Sequence, residues 1–163
     1  MQGSGSFKHT YSLSVSAGST VTPVVGPPTG FNCSSATTID LPNNLYMFNN
    51  QWGALQATSS SFQCILGTNV TYNWVPTATY ASVKGYPAIV AGWHWGYKYG
   101  QGVGNLPVQL SSKPSIKATW SIEHASSTNE ELNTSWDIWL GNSSEKNPAN
   151  PGAEVMIWLN RKV

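Results

Sequence analysis

The residues best suited to chemistry lie near the end of the chain, in Gly152-Ala153-Glu154-Val155-Met156-Ile157-Trp158-Leu159-Asn160-Arg161. One carboxylate opens an otherwise apolar run. At a strand's period of two, Glu154, Met156 and Trp158 share one face while Val155, Ile157 and Leu159 share the other, which is expected to meet a core. The first set aligns an acid, a thioether and an indole. That combination suits a sugar, whose apolar ring faces stack on aromatic rings and whose hydroxyls need acceptors. The competing reading is that Glu154 merely starts a strand at the solvent edge. A second alternating run, Trp136-Asp137-Ile138-Trp139-Leu140, puts Asp137 and Trp139 on one face. If both strands lie in one sheet, Asp137 can sit beside Glu154. A protonated neighbour can hydrogen-bond a nucleophilic carboxylate, because two like charges at close range resist joint ionisation. The alternative is a surface Asp in a strand.

Two further clusters carry groups that a sugar chain could use. In Phe48-Asn49-Asn50-Gln51-Trp52-Gly53, Asn50 and Trp52 are expected to project to one side, an amide for hydroxyls and an indole for stacking. Gly92-Trp93-His94-Trp95-Gly96-Tyr97-Lys98-Tyr99 gathers aromatic rings around one His in a glycine-rich loop. Such rings are costly to leave wet, so they either cover a ligand or fold back over a sheet edge.

The elements that must hold these groups read as strands. Charged residues make up only 9% of the 163 residues, and there are eight Trp and seven Tyr. Low charge disfavours long surface helices laced with ion pairs, whereas Thr, Val, Trp and Tyr fit pleated, half-buried strands. Short alternating runs separated by turn formers predict strands over 45–50, 62–66, 71–75, 88–93, 117–124, 135–140 and 154–160. That rhythm belongs to an all-β sandwich and not to βαβ units. Glu130-Glu131-Leu132-Asn133 is the one stretch that reads as a helical turn. Residues 1–30, rich in Ser, Thr, Gly and Pro, read as a linker or tag with an edge strand over Tyr11 to Val15.

Several function classes recede on composition. A net charge of +1 without a basic run gives a nucleic acid backbone little to hold. No apolar stretch approaches the roughly 20 residues that cross a bilayer, so no membrane partner is expected. The opening Met1-Gln2-Gly3-Ser4-Gly5-Ser6 lacks the pattern of a signal peptide. Cys33 and Cys64 read either as one disulfide or as two buried thiols. A bridge would close a loop of about 30 residues and add roughly 3 kcal/mol. No metal-ligand spacing surrounds them. Asn-x-Ser/Thr triplets begin at Asn32, Asn69, Asn133 and Asn142, which so Ser/Thr-rich a chain produces by chance.

These segments, in this order, resemble the family 12 glycoside hydrolases, particularly their bacterial endoglucanase branch. The family's Asn-Asn-x-Trp-Gly stands here as Asn49-Asn50-Gln51-Trp52-Gly53, and Val83-Lys84-Gly85-Tyr86-Pro87 is similar to its Val-x-Gly/Ser-Tyr-Pro stretch. Asn105-Leu106-Pro107-Val108, Trp120-Ser121, Trp136 to Leu140 and Glu154 to Trp158 match consecutive family segments, so the resemblance runs from about residue 31 to the end. It implies a β-jelly-roll sandwich of two antiparallel sheets with a concave glycan-binding face, and an N-terminal disulfide between Cys33 and Cys64. It implies endo-acting, retaining hydrolysis of a β-1,4-glucan such as cellulose, mixed-linkage glucan or xyloglucan. Glu154 would be the nucleophile and Asp137 the carboxyl supporting it. Trp52 would stack a sugar, Asn50, His94 and Trp95 would line nearby subsites, and Met156 would pack beneath the sugar at the cleavage point. The resemblance also implies a secreted protein.

Two features depart from the family. Its bacterial branch often has a cysteine-bridged loop near His94, where this chain has Trp93 and no cysteine. After the nucleophile strand the family carries an acid/base Glu in a Gly-x-Glu-Pro context, which nothing here matches. Retaining hydrolysis needs two carboxyls about 5–5.5 Å apart. Of the remaining acids, Asp40, Glu123, Glu130, Glu131 and Glu145, only Glu123 is a plausible substitute by its strand context. Residues 31–163 are therefore expected to form the N-terminal three quarters of a glucanase-like sandwich, incomplete at its C-terminus and nearly inert alone: part of a longer protein, one piece of a split domain, or a chain completed by a companion polypeptide or by self-association. Two other readings stand beside the enzyme: a catalytically inactive glucan-binding or decoy protein of the same fold, and a purely structural sandwich. No cofactor or metal is expected, since glycosyl transfer through an enzyme ester requires neither.

Overall fold

The computed structural model describes residues 7–10, 27–53, 60–74, 83–92, 94, 106, 108–113, 115–122, 132–141 and 152–162. The chain divides into two compact units, Met1–Ala91 with Ser115–Ser126 and Gly92–Pro114 with Ser127–Val163. The fold is all-β. Among the described residues the only helical pieces are two single 3-10 turns, Pro42–Asn44 and Leu110–Ser112. No helix there is long and apolar enough to cross a membrane.

The first unit contains β1 (Phe7–Thr10), β2 (Thr38–Leu41), β3 (Leu45–Phe48), β4 (Phe62–Leu66), β5 (Asn69–Asn73), β6 (Ala88–Ala91) and β7 (Ala118–Ser121). Strands β2, β3 and β6 form an antiparallel sheet with β3 in the middle, β4 and β5 form a hairpin, and β1 pairs with β7 in parallel. The turns follow from residue type. Gly67, at φ 56°, takes the first position of the two-residue β4–β5 loop, where a hairpin turn demands a left-handed residue. Asn43 and Asn44, at φ 62° and 58°, carry the chain from β2 to β3; Asn tolerates that region better than other residues with a side chain.

Apolar side chains from the sheet and the hairpin form the core among the described residues of this unit. Met47, Ile65 and Val70 are buried, with Ile39, Leu41, Tyr72 and Ile89 packed against them. Register explains the grouping: Ile39, Met47 and Ile89 are cross-strand partners in the three-stranded sheet, and Ile65 pairs with Val70 in the hairpin. Burying each such aliphatic side chain contributes roughly 1.5–3 kcal/mol. Cys33 and Cys64 are disulfide-bonded, which settles the choice left open between a bridge and two thiols. Asn32 exchanges backbone hydrogen bonds of 2.9 Å with Ile65, so the segment carrying Cys33 runs alongside β4.

In the second unit β8 (Leu132–Leu140) and β9 (Ala153–Lys162) form a long antiparallel ribbon. The register slips between Thr134 and Ser135, a bulge that leaves Leu159 without an opposite residue. Each strand expected from the sequence has a counterpart, β4 with the expected bounds and the others with shifted ends, whereas the sequence pattern does not announce the four-residue β1 and β2. The expected strand over Tyr11 to Val15 lies outside the described residues. The expected helical turn at 130–133 is corrected, because Leu132 and Asn133 belong to β8, opposite Lys162 and Arg161. Cross-strand pairing gives their backbone partners that a lone helical turn, with its costly nucleus, does not. Val155, Ile157 and Leu159, expected to be core, are 44%, 49% and 52% exposed. A two-stranded ribbon cannot bury either of its own faces.

Candidate active site

Strand β9 places Glu154 directly opposite Trp139 and Met156 directly opposite Asp137. Alternation then puts Asp137, Trp139, Glu154 and Met156 on one face of the ribbon. Asp137 and Glu154 are therefore diagonal neighbours, within reach of each other across the strands. Their side chains are hydrogen-bonded. Because an ionised carboxylate can only accept, such a bond needs a proton on one of the two groups.

The surroundings decide which. The Asp137 carboxyl is raised from 3.8 to about 7, first by partial withdrawal from water, then by its hydrogen bond to Glu154 and by the charge of Glu154. A side-chain hydrogen bond from Trp139 acts in the opposite direction. The indole can only donate, so its N–H favours the ionised form of Asp137. Below neutral pH Asp137 is thus the proton-bearing member, donating to Glu154.

His94 stands over the same group. Its ring meets that of Trp139 edge-on, with centroids 5.5 Å apart and planes at 60°, a favoured aromatic arrangement. Burial lowers its pKa to about 4, against the pull of the Glu154 charge. The imidazole is consequently neutral over most of the pH range. Glu154 and Asp137 stay open to solvent, and Met156 is 36% exposed. The face is therefore accessible to a ligand. No group of three or more His, Cys, Asp or Glu among the described residues could hold a metal ion.

Asn50 and Trp52 belong to the first unit, in the turn that follows β3. The Trp52 backbone N–H donates to Asn50 Oδ1 at 3.2 Å, and the Gly53 N–H donates to the Lys84 carbonyl at 3.1 Å. The Trp52 ring is 60% exposed. Gly53 is required where it stands, since a Cβ there would collide with the Val83 carbonyl oxygen. Of the residues singled out in the sequence, His94, Asp137, Glu154 and Met156 come together in the second unit, and Asn50 and Trp52 in the first. Trp95 lies outside the described residues. Alternation puts Trp139 on the Asp137 face but gives it no role. Register, which alternation does not supply, shows that it lies opposite Glu154.

The model of the family described as Glycosyl hydrolase family 12 matches residues 43–163. Endoglucanase S of Pectobacterium parmentieri is 35% identical over 122 residues, covering 72% of this chain and 45% of that protein. Proteins described as probable xyloglucan-specific endo-beta-1,4-glucanase A, from Neosartorya fischeri and Aspergillus fumigatus, are each 31% identical over 129 residues, covering 71% of this chain and 44% of their own length. The chain thus spans about half the length of these relatives. No solved structure matches it.

Proposed function

This chain belongs to glycosyl hydrolase family 12, and on that footing we propose that it is part of a secreted, endo-acting β-1,4-glucanase that works with retention at the anomeric carbon. The observation that carries the reading is the hydrogen-bonded pair of Asp137 and Glu154 on one accessible face. A glycosyl-enzyme ester forms only from an ionised carboxylate. Asp137, holding a proton, can donate a hydrogen bond to Glu154, the support that a nucleophilic carboxylate needs. Glu154 attacks the anomeric carbon. Met156, across from Asp137, offers a soft apolar floor to the sugar ring. In the first unit, the exposed ring of Trp52 and the amide nitrogen of Asn50 are groups that can contact a sugar.

Asp137 is not the acid that protonates the leaving oxygen. Carboxyls sharing a hydrogen bond are about 2.5–2.7 Å apart at their oxygens, whereas the acid/base and the nucleophile of a retaining enzyme stand about 5–5.5 Å apart to admit the glycosidic bond. The proton donor is a further carboxyl, and no residue of this sequence matches the Gly-x-Glu-Pro context that carries it in the family.

The test follows from that division. An aryl 2-fluoro-β-cellobioside with a dinitrophenolate leaving group departs without protonation, so attack by Glu154 needs no acid partner. Incubation should add one fluorocellobiosyl mass to the chain, mapped to the peptide containing Glu154, and none to Glu154→Gln. Equal labelling of both, or labelling elsewhere, refutes the assignment. A second reading is supported by the exposed Trp52: glucan binding without turnover. It predicts retardation in glucan-containing gels with no covalent labelling.

A further inference from the structure

We propose that Gln63 is a positioning residue for Trp52, its buried amide fixing the backbone of the turn that presents the indole to a glucan chain. The proposal rests on the reading of Trp52 as a sugar contact.

Gln63 lies in β4 beside Cys64 and is 1% exposed. A long amide buried so fully is stable only if its hydrogen-bonding groups are satisfied. Its Nε2 donates to Asn49 Oδ1 at 2.9 Å and to the Asn50 carbonyl at 3.0 Å, the two bonds an amide nitrogen can give. Asn49 returns the contact, Nδ2 donating to the Gln63 carbonyl at 3.1 Å and to the Ser34 carbonyl at 3.0 Å. Gln51 Nε2 donates to the Gln63 carbonyl at 2.6 Å and to the Cys33 carbonyl at 3.1 Å. Residues 49, 50 and 51 are therefore each tied to Gln63, and two of them also to the segment that the disulfide joins to Cys64.

The node reaches Trp52 through Asn50. The Asn50 carbonyl accepts a second bond, from the Tyr86 N–H at 3.0 Å, which fills both its lone pairs. The Asn50 side chain then accepts the Trp52 N–H. Gly85 closes over the node: a Cβ there would strike the Asn50 carbonyl oxygen and come within 2.8 Å of Gln63 Oε1. The result is an indole held out in water on a backbone pinned from beneath. An apolar residue of similar volume would fill the same space without donating, so what the amide adds is the hold on the turn. A preordered ring binds more tightly because less freedom is lost on contact.

The experiment is affinity electrophoresis in gels containing soluble β-glucan, with wild type, Trp52→Ala, Gln63→Met and the double variant. A second readout is the 19F resonance of 5-fluorotryptophan at position 52, assigned by its absence in Trp52→Phe. Gln63→Met should weaken retardation about three- to tenfold, the loss that follows when one side chain must be ordered on binding. It should shift or broaden the Trp52 resonance and add nothing in the Trp52→Ala background. If Gln63→Met fails to fold, Gln63→Glu is the second variant, since it keeps the shape and, when ionised, lacks both donors. Loss of retardation in Trp52→Ala with wild-type retardation and an unchanged resonance in Gln63→Met overturns the proposal and leaves the reading of Trp52 intact. If wild type and Trp52→Ala migrate alike, that reading fails, and the resonance alone decides whether Gln63 holds the ring.

Discussion

Replacing Glu154 with Gln should release Asp137 from its proton. In the wild-type chain the Asp137 pKa is raised from 3.8 to about 7 by partial withdrawal from water, by the hydrogen bond to Glu154 and by the charge of Glu154, in that order. At pH 5.5 such a group is about thirty parts protonated to one ionised, whereas an ordinary Asp is roughly one part protonated to fifty ionised. Glu154→Gln removes the like charge and replaces a carboxylate acceptor with an amide that can donate. Two of the three raising causes vanish. Partial withdrawal from water, the largest, remains, and so does the Trp139 hydrogen bond that favours ionisation. The midpoint should therefore fall by about one unit or more, the size that marks strongly interacting sites, yet stay above 3.8. The assay is a 13C titration of carboxyl resonances, with Asp137 assigned by Asp137→Asn. A wild-type midpoint in the ordinary Asp range, or one near 7 that Glu154→Gln leaves in place, would show that the two carboxyls do not share a proton.

Other consequences are open to direct measurement. Asp137 binds its proton more tightly in the folded chain than at its ordinary pKa of 3.8, so its contribution to stability is full below about 4 and is lost as pH rises through about 7. His94 has the opposite sign: its pKa is lowered to about 4 from 6.5, so its contribution is present above 6.5 and is lost as pH falls through 4. Urea midpoints across pH 4 to 7 should show a shallow wild-type dependence that steepens downward with pH in His94→Phe. Replacing Cys33 and Cys64 with Ala opens a loop of sequence separation 31. It should cost about 3–4 kcal/mol, read as a urea midpoint lowered by roughly 1–3 M, and an unchanged midpoint would contradict it. Ile65→Ala, at a residue with 0% exposure packed on Met47 and Val70, should cost about 2–5 kcal/mol by the same measurement.

Alternation along the chain was enough to define the all-β class, to locate most strands, and to put Asp137 with Trp139 and Glu154 with Met156 on shared faces. Local chemistry could do this because side-chain direction in a strand depends only on parity. Parity is silent on register, since a slip of two residues changes every cross-strand partner without changing any face. Only the paired strands show that Glu154 lies opposite Trp139 and on the diagonal from Asp137. Burial was equally out of reach of the pattern. Val155 and Ile157 carry a core signature yet lie exposed on a two-stranded ribbon, while polar Gln63 and Asn49 are sealed inside, because burial depends on which surfaces and donors arrive from distant parts of the chain. The bridge between Cys33 and Cys64 is of the same kind. Two cysteines make a bond conceivable, and the pairing of Asn32 with Ile65 brings their segments side by side.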